Sequence, residues 1–153
     1  MKRIAVGVDG SDGAQHALTW AADLATSVDA EILAVHVVQG DWLVELNAFQ
    51  LKADDLIAER RARLLGEWTA ELRERGVGYF TELTRGNPAT ELLRVAQQHH
   101  ADLVVVGGTR HHGPRRDSFL GHTAHRVANH SKLPVVVVPV PTDGTEESVP
   151  IPG

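Results

Sequence analysis

The sequence predicts an α/β protein built on an open, largely parallel sheet, and three observations carry that expectation. Short, near-continuous runs of valine, isoleucine and leucine recur along the 153-residue chain. Strands covered on both faces read this way, because neither side meets water. Between the runs, apolar residues recur at helical spacing. The two patterns alternate at a spacing suited to right-handed strand-helix-strand crossovers.

Taken in order, Ile4 to Val8 reads as the first buried strand, ending at Asp9-Gly10-Ser11-Asp12-Gly13. Ala14, Ala17, Leu18, Ala21, Leu24, Ala25 and Val28 then form one helical face. Ile32 to Val38 supplies a second strand, and Gly40 to Asn47 a loop or irregular connection. One long charged helix follows, with Leu56, Ile57, Leu64, Leu65, Trp68 and Leu72 inward and Gly76 as its stop. Tyr79 to Leu83 is the third strand. Asn87 then caps a helix with Pro88 at its first position, where the missing N–H has no partner to lose and φ is already helical. Leu92, Leu93 and Ala96 face inward there. Leu103 to Val106 is the fourth strand, Gly121 to Ser131 the last helix, and Val135 to Val138, bracketed by Pro134 and Pro139, the fifth strand. Residues 1–141 read as one domain and the polar, proline-rich stretch from Thr142 to Gly153 as a disordered tail.

Composition bounds the function. A formal charge of -5 argues against a general nucleic-acid or membrane-surface binder, while leaving room for a local basic loop that holds a small anion. The absence of cysteine excludes disulfides, thiolate metal sites and a cysteine nucleophile. The first apolar stretch is too short for a signal peptide or membrane span, which fits a soluble, cytoplasmic protein.

In an open α/β sheet the ligand crevice lies beyond the carboxyl ends of the strands, where the strand order reverses. Val104-Val105-Val106 runs into Gly107-Gly108, a glycine- and arginine-rich loop follows, and Gly121 opens a helix. These are the parts of an anion cradle, since a helix start presents unpaired N–H groups and glycine lets backbone approach a phosphate. Plainer readings stand beside this one: Asp9, Ser11 or Asp12 as a helix cap, Gly107-Gly108 as a tight turn, Arg115-Arg116 as a solvated pair and His36 as a core histidine.

Ile4-Ala5-Val6-Gly7-Val8-Asp9-Gly10-Ser11, Ala34-Val35-His36-Val37-Val38, Gly86-Asn87-Pro88, Val105-Val106-Gly107 and Leu133-Pro134-Val135-Val136-Val137-Val138 together resemble the universal stress protein A-like family. The resemblance implies an adenine nucleotide alpha hydrolase-like fold: a five-stranded parallel sheet in order 3-2-1-4-5, with helices on both faces. It implies a homodimer joined through Val135 to Val138, and ATP, with or without Mg, as ligand. The family's loop pattern is half met. Gly108 and Gly121 match its first and third glycines, but His111 stands at the second glycine and His122 at the serine or threonine. Asp9 falls on the acidic position that contacts the nucleoside, with Gly10 and Ser11 beside it, and Val37 on the position whose backbone reads the adenine edge.

A non-glycine at a positive-φ site costs about 1–2 kcal/mol, and a lost hydroxyl hydrogen bond about 1 kcal/mol more. The sum is about thirty- to a hundred-and-fifty-fold in affinity, which weakens binding without abolishing it. Thr123, Arg110, Arg115 and Arg116 are available to compensate at phosphate oxygens.

The histidines do not assemble a zinc-like motif, although His122 and His125 share an i, i+3 face. For ATP hydrolysis only His111 stands out as a base, and Asp117 is the only carboxylate in the loop. Two function classes stay open: a nucleotide-responsive binding module for stress response, and a dimeric adaptor on the same fold that binds no nucleotide. A weak ATPase stands behind them, and in each case the protein partner is unknown.

Overall fold

The computed structural model describes residues 1–39, 50–108 and 121–141, with the side chains of residues 50–52 left aside. The strands are β1 (Arg3–Gly7), β2 (Glu31–Gln39), β3 (Tyr79–Gly86), β4 (Leu103–Gly107) and β5 (Val135–Val138). The helices are α1 (Asp12–Val28), α2 (Gln50–Leu65), α3 (Ala70–Glu74), α4 (Pro88–Gln98) and α5 (His122–His130), with a 3-10 turn at Glu67–Thr69. All strand pairings are parallel, in the order β3-β2-β1-β4-β5. Ile4 pairs with Ile32 on one side and Leu103 on the other, so β1 lies at the centre, where the order reverses.

The two-residue period of the strands builds two cores. Ile4, Val6, Ile32, Ala34 and Val105 pack with Ala17, Leu18, Ala21 and Ala25 of α1 and with Leu64, Trp68 and Leu72. Ala5, Leu33, Val35, Val104 and Val106 point the other way, onto Leu92 and Val95 of α4 and Ala124 and Val127 of α5. Helices therefore cover both faces of an open five-stranded parallel sheet.

The single long helix expected across Leu56 to Leu72 is instead broken. α2 ends at Leu65, which is 55% exposed rather than inward, and Gly66 leaves helical geometry at φ -102, ψ -105. The freed carbonyls are taken up by side chains further on. Buried Thr69 donates to Leu64 O at 2.7 Å, and Arg73 donates to Leu65 O at 2.9 Å and to Gly66 O. The break turns Trp68 and Leu72 back into the core. Val28, expected on the apolar face of α1, is 42% exposed at that helix's last residue.

Elsewhere local chemistry sets the ends. Ser11 caps α1, its Oγ accepting from Ala14 N at 3.2 Å, and Asn87 caps α4 by accepting from Thr90 N at 3.1 Å, with Pro88 next. Gly76 stands at φ 67 beyond α3. β3 runs to Gly86, three residues beyond Leu83, through full pairing with β2 up to Gln39–Gly86. The expected connection at Gly40 to Asn47 and the tail from Thr142 lie outside the described residues.

Candidate functional site

The carboxyl ends of β1, β2 and β4 border a cleft of about 530 Å³, closed on its flanks by the starts of α4 and α5. Of the residues read from the sequence, Asp9, Ser11, Val37, Gly107, Gly108, Gly121, His122 and Thr123 line it. Gly10 does not. Its φ of +82 carries the turn from β1 to α1, and a Cβ there would stand 2.6 Å from Trp68 Nε1, so its role is conformational. Arg110 and His111, with Arg115 and Arg116, lie outside the described residues.

The β1–α1 turn is wired through Asp9. Its Oδ1 accepts from Ser11 N at 2.9 Å and from Ser11 Oγ at 2.5 Å, while Ser11 Oγ accepts from Ala14 N. Ser11 is therefore the helix cap and Asp9 orients it. The other carboxylate oxygen of Asp9 has no hydrogen-bond partner among the described residues and remains open at the exposed turn.

The two glycines after β4 are held by close packing. A Cβ at Gly107 would lie 2.2 Å from Gly13 O, and one at Gly13 would lie 2.3 Å from Gly108 O. The start of α1 thus rests against the end of β4, backbone on backbone. Gly108 N donates to Val138 O at 2.8 Å.

The start of α5 differs from those of α1 and α4. Gly121 is its N-cap residue and offers no side-chain cap, and His122, Thr123 and Ala124 line the cleft. Their N–H groups precede the first intrahelical donor, His125 N, which bonds to Gly121 O at 2.9 Å. Unpaired donors and the positive end of the helix dipole consequently meet at the cleft.

Three polar groups of the cleft, His36, Gln39 and Arg60, escaped the sequence reading of the site. His36, 2% exposed, is both the core histidine expected and a cleft-lining residue. Its Nδ1 donates to Val8 O at 2.7 Å, which leaves Nε2 as the acceptor facing Arg60 Nη1 at 3.5 Å. The ring stacks edge-on with Trp68, centroids 4.9 Å apart. Burial holds the imidazole below its ordinary value; the bond to Val8 opposes that, Arg60 adds to it and Asp9 opposes it weakly. Arg60 reaches the cleft from α2. Its position three residues after Ile57 and four before Leu64 is the signal that puts it on the inward face of that helix. Among the described residues no three histidine, aspartate or glutamate side chains gather where they could hold a metal ion. No described helix is long and apolar enough to cross a membrane.

Comparison with known proteins extends the likeness to most of the chain. A universal stress protein of Methanocaldococcus jannaschii is 34% identical over 150 residues, covering 92% of this chain and 83% of that protein. Universal stress proteins of two Mycobacterium tuberculosis strains, each 33% identical over 137 residues, are longer, and the chain spans about half their length. A universal stress protein solved in complex with cAMP superposes with a TM-score of 0.70 at 21% identity, covering 92% of this chain and 98% of that one. A universal stress protein family protein from Arabidopsis thaliana, solved with AMP bound, gives 0.68 at 21% identity, covering 97% of each. At those identities the two structures speak for the fold. The Universal stress protein family matches residues 1–139, and with that match over nearly the whole chain, the protein belongs to the universal stress protein family.

Proposed function

We propose that the chain is an adenine-nucleotide binding module rather than a catalyst, with ATP as the ligand and nucleotide occupancy regulating its role in stress response. The observation that carries the reading is the meeting of an uncapped helix start with glycine backbone in one cleft of about 530 Å³, a volume ordinary for a small-molecule site. Bound AMP and cAMP in two proteins of the same fold support it.

In this arrangement the free oxygen of Asp9 accepts from ribose hydroxyls, and the Val37 backbone pairs with the adenine edge. The N–H groups of His122 to Ala124 receive the phosphates, and Gly107 and Gly108 border them without side chains in the way. Arg110 and His111 belong to the same proposed set from the stretch of sequence before α5. A magnesium ion accompanying the triphosphate would bind chiefly to its oxygens, since among the described residues Asp9 is the one carboxylate at the cleft.

Calorimetry and thermal unfolding with Mg-ATP, AMP and cAMP test the proposal. At ligand one hundred times Kd, stabilisation of about 2.7 kcal/mol is expected. Asp9→Asn should weaken binding of all three. Absence of both heat and stabilisation at millimolar nucleotide, at neutral and mildly acid pH, overturns it.

The same reading includes a homodimer. β5 is the edge of the sheet, and its residues alternate between pairing with β4 and facing away, so Val135 and Val137 turn backbone groups to the open side. A second copy pairing along β5 satisfies them.

A further inference from the structure

A groove of about 450 Å³ runs between α4 and α5, separate from the nucleotide cleft. Thr90, Leu93, Arg94 and Gln97 fall at i, i+3, i+4 and i+7, one face of α4, and Arg126 and His130 at i, i+4 on α5. Ala89, Leu93 and Leu133 give it apolar walls, while Arg94, Arg126 and Lys132 give it a cationic rim with the His130 ring beside them. In a chain of net charge -5, no aspartate or glutamate lines it.

The cations are not all committed elsewhere. Glu91 Oε2 holds Arg94 Nε and Nη2 at 2.9 and 2.8 Å, and Gln98 Oε1 accepts from Arg94 Nη1 at 3.0 Å, which fixes that guanidinium at the rim. Arg126, His130 and Lys132 have no hydrogen-bond or ion-pair partner among the described residues. A helix end alone does not account for the cluster. His130 sits in the last turn of α5, where positive charge complements the dipole, but Arg126 lies a turn earlier and Arg94 comes from another helix. The far end is built as well: Ser131 Oγ donates to Leu133 O at 2.8 Å and accepts from Leu133 N at 3.0 Å, fixing the turn that carries Lys132.

From this charge complementarity, we infer that the α4–α5 groove is a docking site for an acidic segment of a partner protein, one that alternates carboxylate and aliphatic side chains. The aliphatic groups lie against Leu93 and Leu133, and the carboxylates pair with Arg126 and Lys132. Guanidinium forks favour carboxylates over bulk anions because two parallel bonds form at once. The inference stands apart from nucleotide binding, and its test is independent of it.

Fluorescence anisotropy with the full chain and a labelled short peptide alternating glutamate and leucine reads the interaction, with the glutamine-leucine peptide as its neutral counterpart. The acidic peptide is expected to bind and the neutral one not. Combined Arg126→Glu and Lys132→Glu should weaken binding at least about tenfold, and Arg126→Gln alone should weaken it less, with thermal unfolding unchanged because both side chains are exposed. Added salt should weaken it further, while Asp9→Asn leaves it intact. Absence of binding, equal binding of both peptides, or no response to the charge reversals overturns the inference. Displacement by ATP would move the peptide to the other cleft, and displacement by inorganic phosphate at equal concentration would make the groove a small-anion site; either result also overturns it.

Discussion

A methyl group at Gly107 has nowhere to go, because Gly13 O would lie 2.2 Å away and Ala14 N 2.9 Å away. Gly107→Ala is expected to cost about 1–3 kcal/mol in denaturant unfolding and to disturb the cleft by pushing α1 off β4. Sequence reasoning valued this glycine for phosphate approach, yet its demonstrable constraint is packing against a segment 94 positions away, which no local pattern announces. His36 teaches the converse. Its alternation with Ile32 and Ala34 made its burial legible, but its place in the cleft arises only when Val8 and Arg60 meet it. Because folding lowers its affinity for protons, the unfolded chain binds more of them as pH drops below 6.5. The stability it contributes is thus full above 6.5 and lost as pH falls through that value and down to the lower folded one. Unfolding midpoints across that window should fall for the native chain and flatten for His36→Gln.

The elements divide into those that announce themselves and one that does not. β5, the α1 and α4 caps and the stop at Gly76 follow from valine runs, capping side chains and a positive φ, each a local cause written in neighbouring residues. The break after α2 was illegible because the apolar stripe continues through Trp68 and Leu72 as though no turn intervened. What stabilises the break is tertiary: Thr69 and Arg73 satisfy carbonyls that an unbroken helix would have used itself. Thr69→Val should therefore strand a buried carbonyl and lower stability by about 1–3 kcal/mol in equilibrium unfolding. Ser11→Ala should cost about 1 kcal/mol through the lost α1 cap and leave Asp9 held by the backbone N–H of residue 11 alone.

For the whole molecule, the parallel sheet and its two-faced covering were legible in the apolar runs, whereas the strand order came with the family resemblance and is the order the structure shows. The place of the cleft was legible in outline, since reversal of order at β1 dictates which loops converge, whatever their residues. The proposed dimer would draw on the same sheet. Light scattering at micromolar concentration should give the mass of two chains, and Val137→Pro, which removes an outward N–H while sparing the inward bonds to β4, should shift it toward one. Gly108 links these scales. Its N–H is tied to Val138 on the edge strand, and its carbonyl oxygen lies close beside Gly13 at the first turn of the first helix. Through two successive peptide planes one glycine thereby fastens the outer rim of the sheet to the wall of the cleft, so a shift of the edge strand at Val138 is expected to be felt where the first helix begins.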